Sequence, residues 1–141
     1  MNNLNKALGI DLGDSRIGLA LSDDLGLMAH PLETLPAKEN PLARIVDIVR
    51  QHKIQTIVLG MPRNMDGTYG AAAEKIKAFR ETLKAAVSCQ IVLWDERLTT
   101  VAAQKSLHEA GKNVKKSRAV IDQVAAQLIL QGWLDSMAFK L

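Results

Sequence analysis

Residues 8–23 read LGIDLGDSRIGLALSD, and this stretch decides the fold. Two short apolar runs, Ala7–Leu12 and Ile17–Leu21, flank a Gly-Asp-Ser-Arg segment at 13–16. Apolar runs separated by such turn formers predict a β-hairpin, because Gly, Asp and Ser supply the backbone freedom and local hydrogen bonds of tight turns. One residue of the first run does not belong in an apolar core: Asp11. Strand alternation places it on the face of Gly9, opposite Ile10 and Leu12. The small Gly9 leaves room above the sheet beside it.

Working outward, a third strand falls between Leu27 and Leu35, and Pro31 within it points to a sheet edge. Asn40 followed by Pro41 marks a helix start, an N-cap with proline at the first helical position. That helix runs to about His52, with Leu42, Ile45, Val46 and Val49 on one face. QTIVLG (Gln55–Gly60) is a strand of the fully buried kind. The loop Met61–Gly70 leads into a helix over about Ala71–Val87 that turns Ile76, Phe79 and Leu83 inward. QIVLW (Gln90–Trp94) is another buried strand, ending at Asp95-Glu96-Arg97. Thr99 or Thr100 caps a third helix reaching about Ala110, stopped by Gly111. Ser117 caps a last helix from Arg118 to about Asp135. Right-handed crossovers set the fourth and fifth strands parallel to the first. The expectation is an α/β fold, one domain over 1–141, with a mixed five-stranded sheet covered by helices on both faces.

A chain of 141 residues with 48% hydrophobic and 23% charged residues has the balance of an ordinary globular domain, which excludes disordered and fibrous classes. The single cysteine, Cys89, cannot close an internal disulfide and suits a reducing compartment. Met1–Lys6 lacks a signal-peptide core, and no window reaches the ~20 apolar residues of a membrane span. The expected location is therefore the cytoplasm, with no membrane partner. A net charge of +3 and pI of about 9.1 permit a polyanionic partner without demanding one. Lys112, Lys115, Lys116 and Arg118 cluster in a stretch free of acids, either as a solvated loop or as a grip on phosphates. His30, His52 and His108 stand apart and receive no role.

Carboxylates occupy three places where burial is expected. Asp11 interrupts the first strand. Asp95 and Glu96 end a central strand, where ligand sites gather in open α/β sheets, and only one of the two can share the Asp11 face. Asp122 lies near the start of an apolar helix, among Arg118, Ala119, Ala125, Ala126 and Ile129. Each has a plain structural alternative. Asp11 could bond the hairpin turn, Asp95 or Glu96 could cap the next helix, and Asp122 could answer its helix dipole for ~0.3–1 kcal/mol. Taken together, three half-buried anions at one sheet end repel each other and call for a partner. Oxygen donors point to Mg²⁺ or Mn²⁺ rather than zinc.

The strings GIDLGDSRIGLALSD, VLGMPRNMDGTYG, DERLTT and IDQVAAQLILQGWLD follow one another in this order. Together they resemble the Holliday-junction-resolvase-like family of pre-16S rRNA nucleases, a bacterial branch of the ribonuclease H-like superfamily. The resemblance spans Leu8–Asp135. It implies a sheet in the order 3-2-1-4-5, metal-dependent hydrolysis of phosphodiesters, and processing of the 5′ end of the 16S rRNA precursor in ribosome assembly. It further implies that Asp11 matches the first-strand acid, Asp95-Glu96 the acidic pair the family carries at the end of its fourth strand, and Asp122 the acid of the last helix. Glu96 is preferred to Asp95 as a metal ligand for its longer reach. Well-known junction resolvases of the superfamily carry a second acid three residues along that helix. Here that position is Ala125, a departure that weakens both junction cleavage and tight two-metal binding.

The mechanism these residues suggest is metal-assisted attack of water on a backbone phosphate, with metals ~3.5–4 Å apart if two bind. Arg16 either neutralises the phosphate or pairs with Asp14. Arg63, Asn64 and the amides around Gly67 and Gly70 suit a phosphate oxygen at a helix N-terminus, although an ordinary Asp-Gly turn is the simpler reading. Lys112, Lys115, Lys116 and Arg118 would hold a nucleic-acid strand with salt-sensitive affinity. The partner is RNA, as pre-16S rRNA or a pre-ribosomal particle, or structured DNA, and the protein a monomer or weak homodimer. Two other classes compete. GIDLGDSRIG also resembles the phosphate hairpin of the sugar-kinase, actin and heat-shock ATPase superfamily, which needs two such domains. A non-catalytic nucleic-acid- or ribosome-binding module is the second. A Holliday-junction resolvase, a third possibility within the nuclease class, requires a symmetric dimer.

Overall fold

The computed structural model describes residues 6–61, 70–96 and 118–138. Its elements are β1 (Ala7–Leu12), β2 (Arg16–Ser22), β3 (Ala29–Pro36), α1 (Pro41–His52), β4 (Thr56–Met61), α2 (Ala71–Ala86), β5 (Gln90–Asp95) and α3 (Arg118–Ala138). The expected helix up to Ala110 lies outside the described residues, as do Arg63, Asn64, Lys112, Lys115 and Lys116. Arg118 enters only as the first residue of α3.

The five strands form one sheet in the order β3-β2-β1-β4-β5. β1 pairs antiparallel with β2 in a register that sets Asp11 opposite Gly18. The hairpin closes through the Gly13 N–H, which donates to the Arg16 carbonyl at 3.0 Å. β4 runs parallel to β1, and β5 parallel to β4, as right-handed crossovers require. β3 is an edge strand, and its register with β2 slips between Leu19 and Ala20, where Glu33 and Pro31 are the successive partners. A proline without an N–H fits such a bulge at an edge.

Alternation along the strands separates two cores. Leu8, Ile10, Ile17, Leu19, Ile57 and Leu59 pack with Ile45 and Ile48 of α1 and Ile76 and Leu83 of α2. Ala7, Ala20, Ala29 and Val58 pack against Ala126, Ile129, Leu130 and Leu134 of α3. The sheet is thus covered on both faces, with large side chains toward α1 and α2 and small ones toward α3. Pro41 opens α1 as expected, but Asn40 does not cap it with its side chain. Asn40 instead takes a left-handed backbone conformation (φ 51, ψ 55), which asparagine tolerates better than most residues.

The small face brings α3 very close. A Cβ on Gly9 would stand 2.7 Å from the Leu130 Cβ, and one on Gly18 would overlap the Asp122 carbonyl oxygen. Three glutamines at helical spacing then hold α3 over the edge strand. The Gln123 amide donates to the Thr34 hydroxyl and Gln127 to the Ala29 carbonyl. Gln131 accepts from the Ala29 N–H at 2.8 Å and donates to the Leu27 carbonyl at 2.9 Å. No described helix is long and apolar enough to cross a membrane.

Candidate active site at the end of the parallel strands

Asp11 stands at the end of β1 and Glu96 immediately after β5. Between these strands lies β4, whose Gly60 pairs with Trp94 one residue beyond the Leu59–Leu93 pair. Neighbouring strands are about 4.8 Å apart, so β1 and β5 are separated by roughly 10 Å. Gly60 has no side chain to fill that gap. A Cβ there would lie 3.4 Å from the Glu96 carboxyl carbon and 2.5 Å from Ile129. Glu96 therefore stands on the α3 face, the face of Asp11. Asp95 pairs with Met61, whose side chain belongs to the opposite core. The alternation expected for the acidic pair selects Glu96.

These two carboxyls are electrostatically poised. Burial, and then the charge of Asp122, push the Asp11 carboxyl up to about 6. Burial, and then the charges of Asp11 and Asp95, push Glu96 up to about 7. Among the described residues no cation compensates either shift, so near neutral pH ionisation builds negative charge into a partly dehydrated pocket. Among the described residues the Asp11 carboxylate accepts no hydrogen bond; the turn beside it is closed by backbone. This corrects its alternative reading as a turn-bonding strand end.

Asp122, the fifth residue of α3, behaves differently. The Arg16 Nε donates to its Oδ2 at 2.8 Å. Arg16 was expected to meet a phosphate or Asp14, but the Asp14 carboxylate is taken by Lys75 at 2.7 Å on the exposed side of the hairpin. Among the described residues no three of Asp, Glu, His or Cys are grouped so as to hold one metal ion. Asp11 and Glu96 are coupled across Gly60, and Asp122, whose charge also acts on Asp11, is paired with arginine. Among the described residues the donors are oxygens and the charge of Asp11 and Glu96 has no cation beside it, which fits a hard divalent cation.

Two contributors escaped the sequence reading. Trp94 packs its indole about 3.1 Å from where a Gly132 Cβ would be, tying α3 to the strand that carries Glu96. Lys75 places a cation beside the hairpin, at a cavity of about 180 Å³ lined by Leu12, Gly13, Asp14, Ala72 and Ile76. A larger cavity of about 410 Å³ lies between Val46, Val49, Arg50 and Ala85–Ser88. Ser88 precedes β5, so this cavity sits at the end of the sheet opposite the carboxylates and away from their chemistry.

Residues 5–136 match the RuvX family model, described as Holliday junction resolvase. A protein of Acetivibrio thermocellus is 47% identical over 135 residues, covering 93% of this chain and 96% of its own. One of Bacillus subtilis is 43% identical over 136 residues, covering 94% and 99%. Both bear the name "Putative pre-16S rRNA nuclease". Among solved structures, the fowlpox virus resolvase with its Holliday junction DNA superposes with a TM-score of 0.61 at 10% identity, over 94% of this chain and 98% of that one. Thermus thermophilus RuvC with its junction substrate gives 0.59 at 13% identity, over 93% and 95%. At such identities the structural likeness shows the fold, the ribonuclease H-like sheet of the resolvases.

Proposed function

The chain belongs to the RuvX Holliday junction resolvase family, and from that premise we propose that it is a metal-dependent nuclease of the cytoplasm that hydrolyses phosphodiesters of pre-16S rRNA. The observation that carries this reading is the pair Asp11–Glu96, half-buried and mutually repelling across Gly60. Such a pair is costly to the fold unless a cation joins it. Asp11 and Glu96 hold the metal, with Asp122 as the third acid delivered by α3. Mg²⁺ or Mn²⁺ bound there supplies an acidified water and charge stabilisation for the leaving 3′-oxygen. Asp11 and Glu96 bind it as carboxylates, so metal binding releases protons and tightens as pH rises. Packing of α3 over the small-residue face keeps bulk water from the floor of the site. Arg16, Arg63, Asn64, Lys112, Lys115, Lys116 and Arg118 contact the phosphate backbone.

The names of the close relatives support RNA as substrate, and Ala125 in place of a second helix acid argues against a four-way junction. The test offers purified protein, with Mn²⁺, a 5′-extended 16S rRNA fragment and a four-way DNA junction side by side. Cleavage of the RNA with the junction left whole is the expected result. The reverse preference would replace the substrate assignment with junction resolution.

A further inference from the structure

The ion pair of Arg16 with Asp122 joins the start of β2 to α3 across 106 residues of sequence, within electrostatic reach of Asp11. We infer that Arg16 is a resident counter-ion, a positioning residue from which a divalent cation takes over Asp122, so that metal loading frees the guanidinium for the substrate phosphate. This inference rests on the metal-dependent nuclease reading above.

Four observations converge on it. First, the backbone of Asp122 is pressed on β2 where Gly18 lacks a Cβ. The helix backbone is closely packed there, so a change of partner needs only the Asp122 side chain to move. Second, the Asp122 charge acts on Asp11, so a cation bound beside Asp11 also draws Asp122. Third, Arg16 engages Asp122 through Nε alone and is 37% exposed. Its two Nη groups have no partner among the described residues, and their fork matches two oxygens of a phosphate. Fourth, the contact is an ion pair at 2.8 Å between partly exposed side chains, so a competing cation on the Asp122 side or an anion on the Arg16 side can take its place. Asp14, the other acid of the hairpin, is occupied by Lys75 and does not draw Arg16 away.

The experiment is an equilibrium titration with Mn²⁺ of the wild type, Arg16→Gln and Arg16→Lys, followed by calorimetry. Removing a competing positive charge tightens binding, so Arg16→Gln is expected to bind Mn²⁺ roughly two- to fivefold more tightly, with Arg16→Lys close to wild type. Cleavage should move the opposite way, with kcat falling in Arg16→Gln. A residue that only braced Asp122 would weaken both. Equal or weaker Mn²⁺ binding by Arg16→Gln would overturn the inference. Where Arg16→Gln does not fold, the wild type decides by NMR. The Arg16 Nε–H resonance, assigned by its loss in Arg16→Lys, should shift with Mg²⁺ and saturate with metal binding. A resonance unmoved at saturation overturns the inference and leaves the nuclease reading intact. A wild type that binds neither Mn²⁺ nor Mg²⁺ overturns both.

Discussion

Asp11 and Glu96 carry proton affinities raised above those of an unfolded chain, and this has a defined sign. A raised carboxyl binds more protons in the folded state than in the unfolded state at pH between the two values, so stability falls as pH rises through that window. With ordinary values of 3.8 and 4.5 and folded values of about 6 and 7, the window runs from about pH 4 to pH 7. The metal-free protein should therefore lose melting temperature between about pH 4 and 7, and Asp11→Asn should flatten that slope. Added Mg²⁺ should restore more at pH 8 than at pH 5.5. A melting temperature in EDTA that rises over this range would contradict the charge arrangement. Asp11 was visible in the sequence because a charge inside an apolar strand has no ordinary explanation. Glu96 was favoured over Asp95 for its reach, and strand alternation then placed it on the Asp11 face. The pairing of Arg16 was not legible. Sequence spacing offers only local partners, such as Asp14, and the true one comes from α3.

At the scale of elements, the residues that position the site are those without side chains. Gly9, Gly18 and Gly60 all face α3, and together they let one 21-residue helix settle across β1, β2, β3 and β4. Gly18→Ala should force α3 away from β2 at Asp122, because its methyl group would meet a backbone carbonyl that has no rotamer to yield. Overpacking of this kind costs typically 1–3 kcal/mol. Denaturant unfolding should show that loss, accompanied by weaker metal binding. A variant as stable as wild type would mean that α3 sits less tightly than described. The strands themselves were readable from alternation and turn residues, and Pro31 correctly marked the edge. Gly9 indicated room above the sheet beside Asp11, and the helix occupies it, with Leu130 and Ala126 against Gly9. Asn40 likewise sits at the expected cap position but acts through its backbone conformation.

For the whole molecule, the mixed sheet and its covering on both faces follow from the order of apolar runs and the handedness of crossovers. The exact strand order came with the family resemblance, since periodicity alone does not say on which side of β1 the later strands add. The charge balance is also a whole-molecule property. A net +3 chain concentrates negative charge at one sheet end, so the proposed function requires cations around that site to hold a polyanion and a metal ion to neutralise its centre. The most direct test of this account is cleavage of a 5′-extended 16S rRNA fragment with Mn²⁺, Mg²⁺ or EDTA, beside folded Asp11→Asn and Asp122→Asn proteins. Cutting that requires the metal and is lost in both variants is the predicted result. Cutting that persists in EDTA or in Asp11→Asn would contradict the account. So would a wild type that binds the RNA as its variants do and never cuts it.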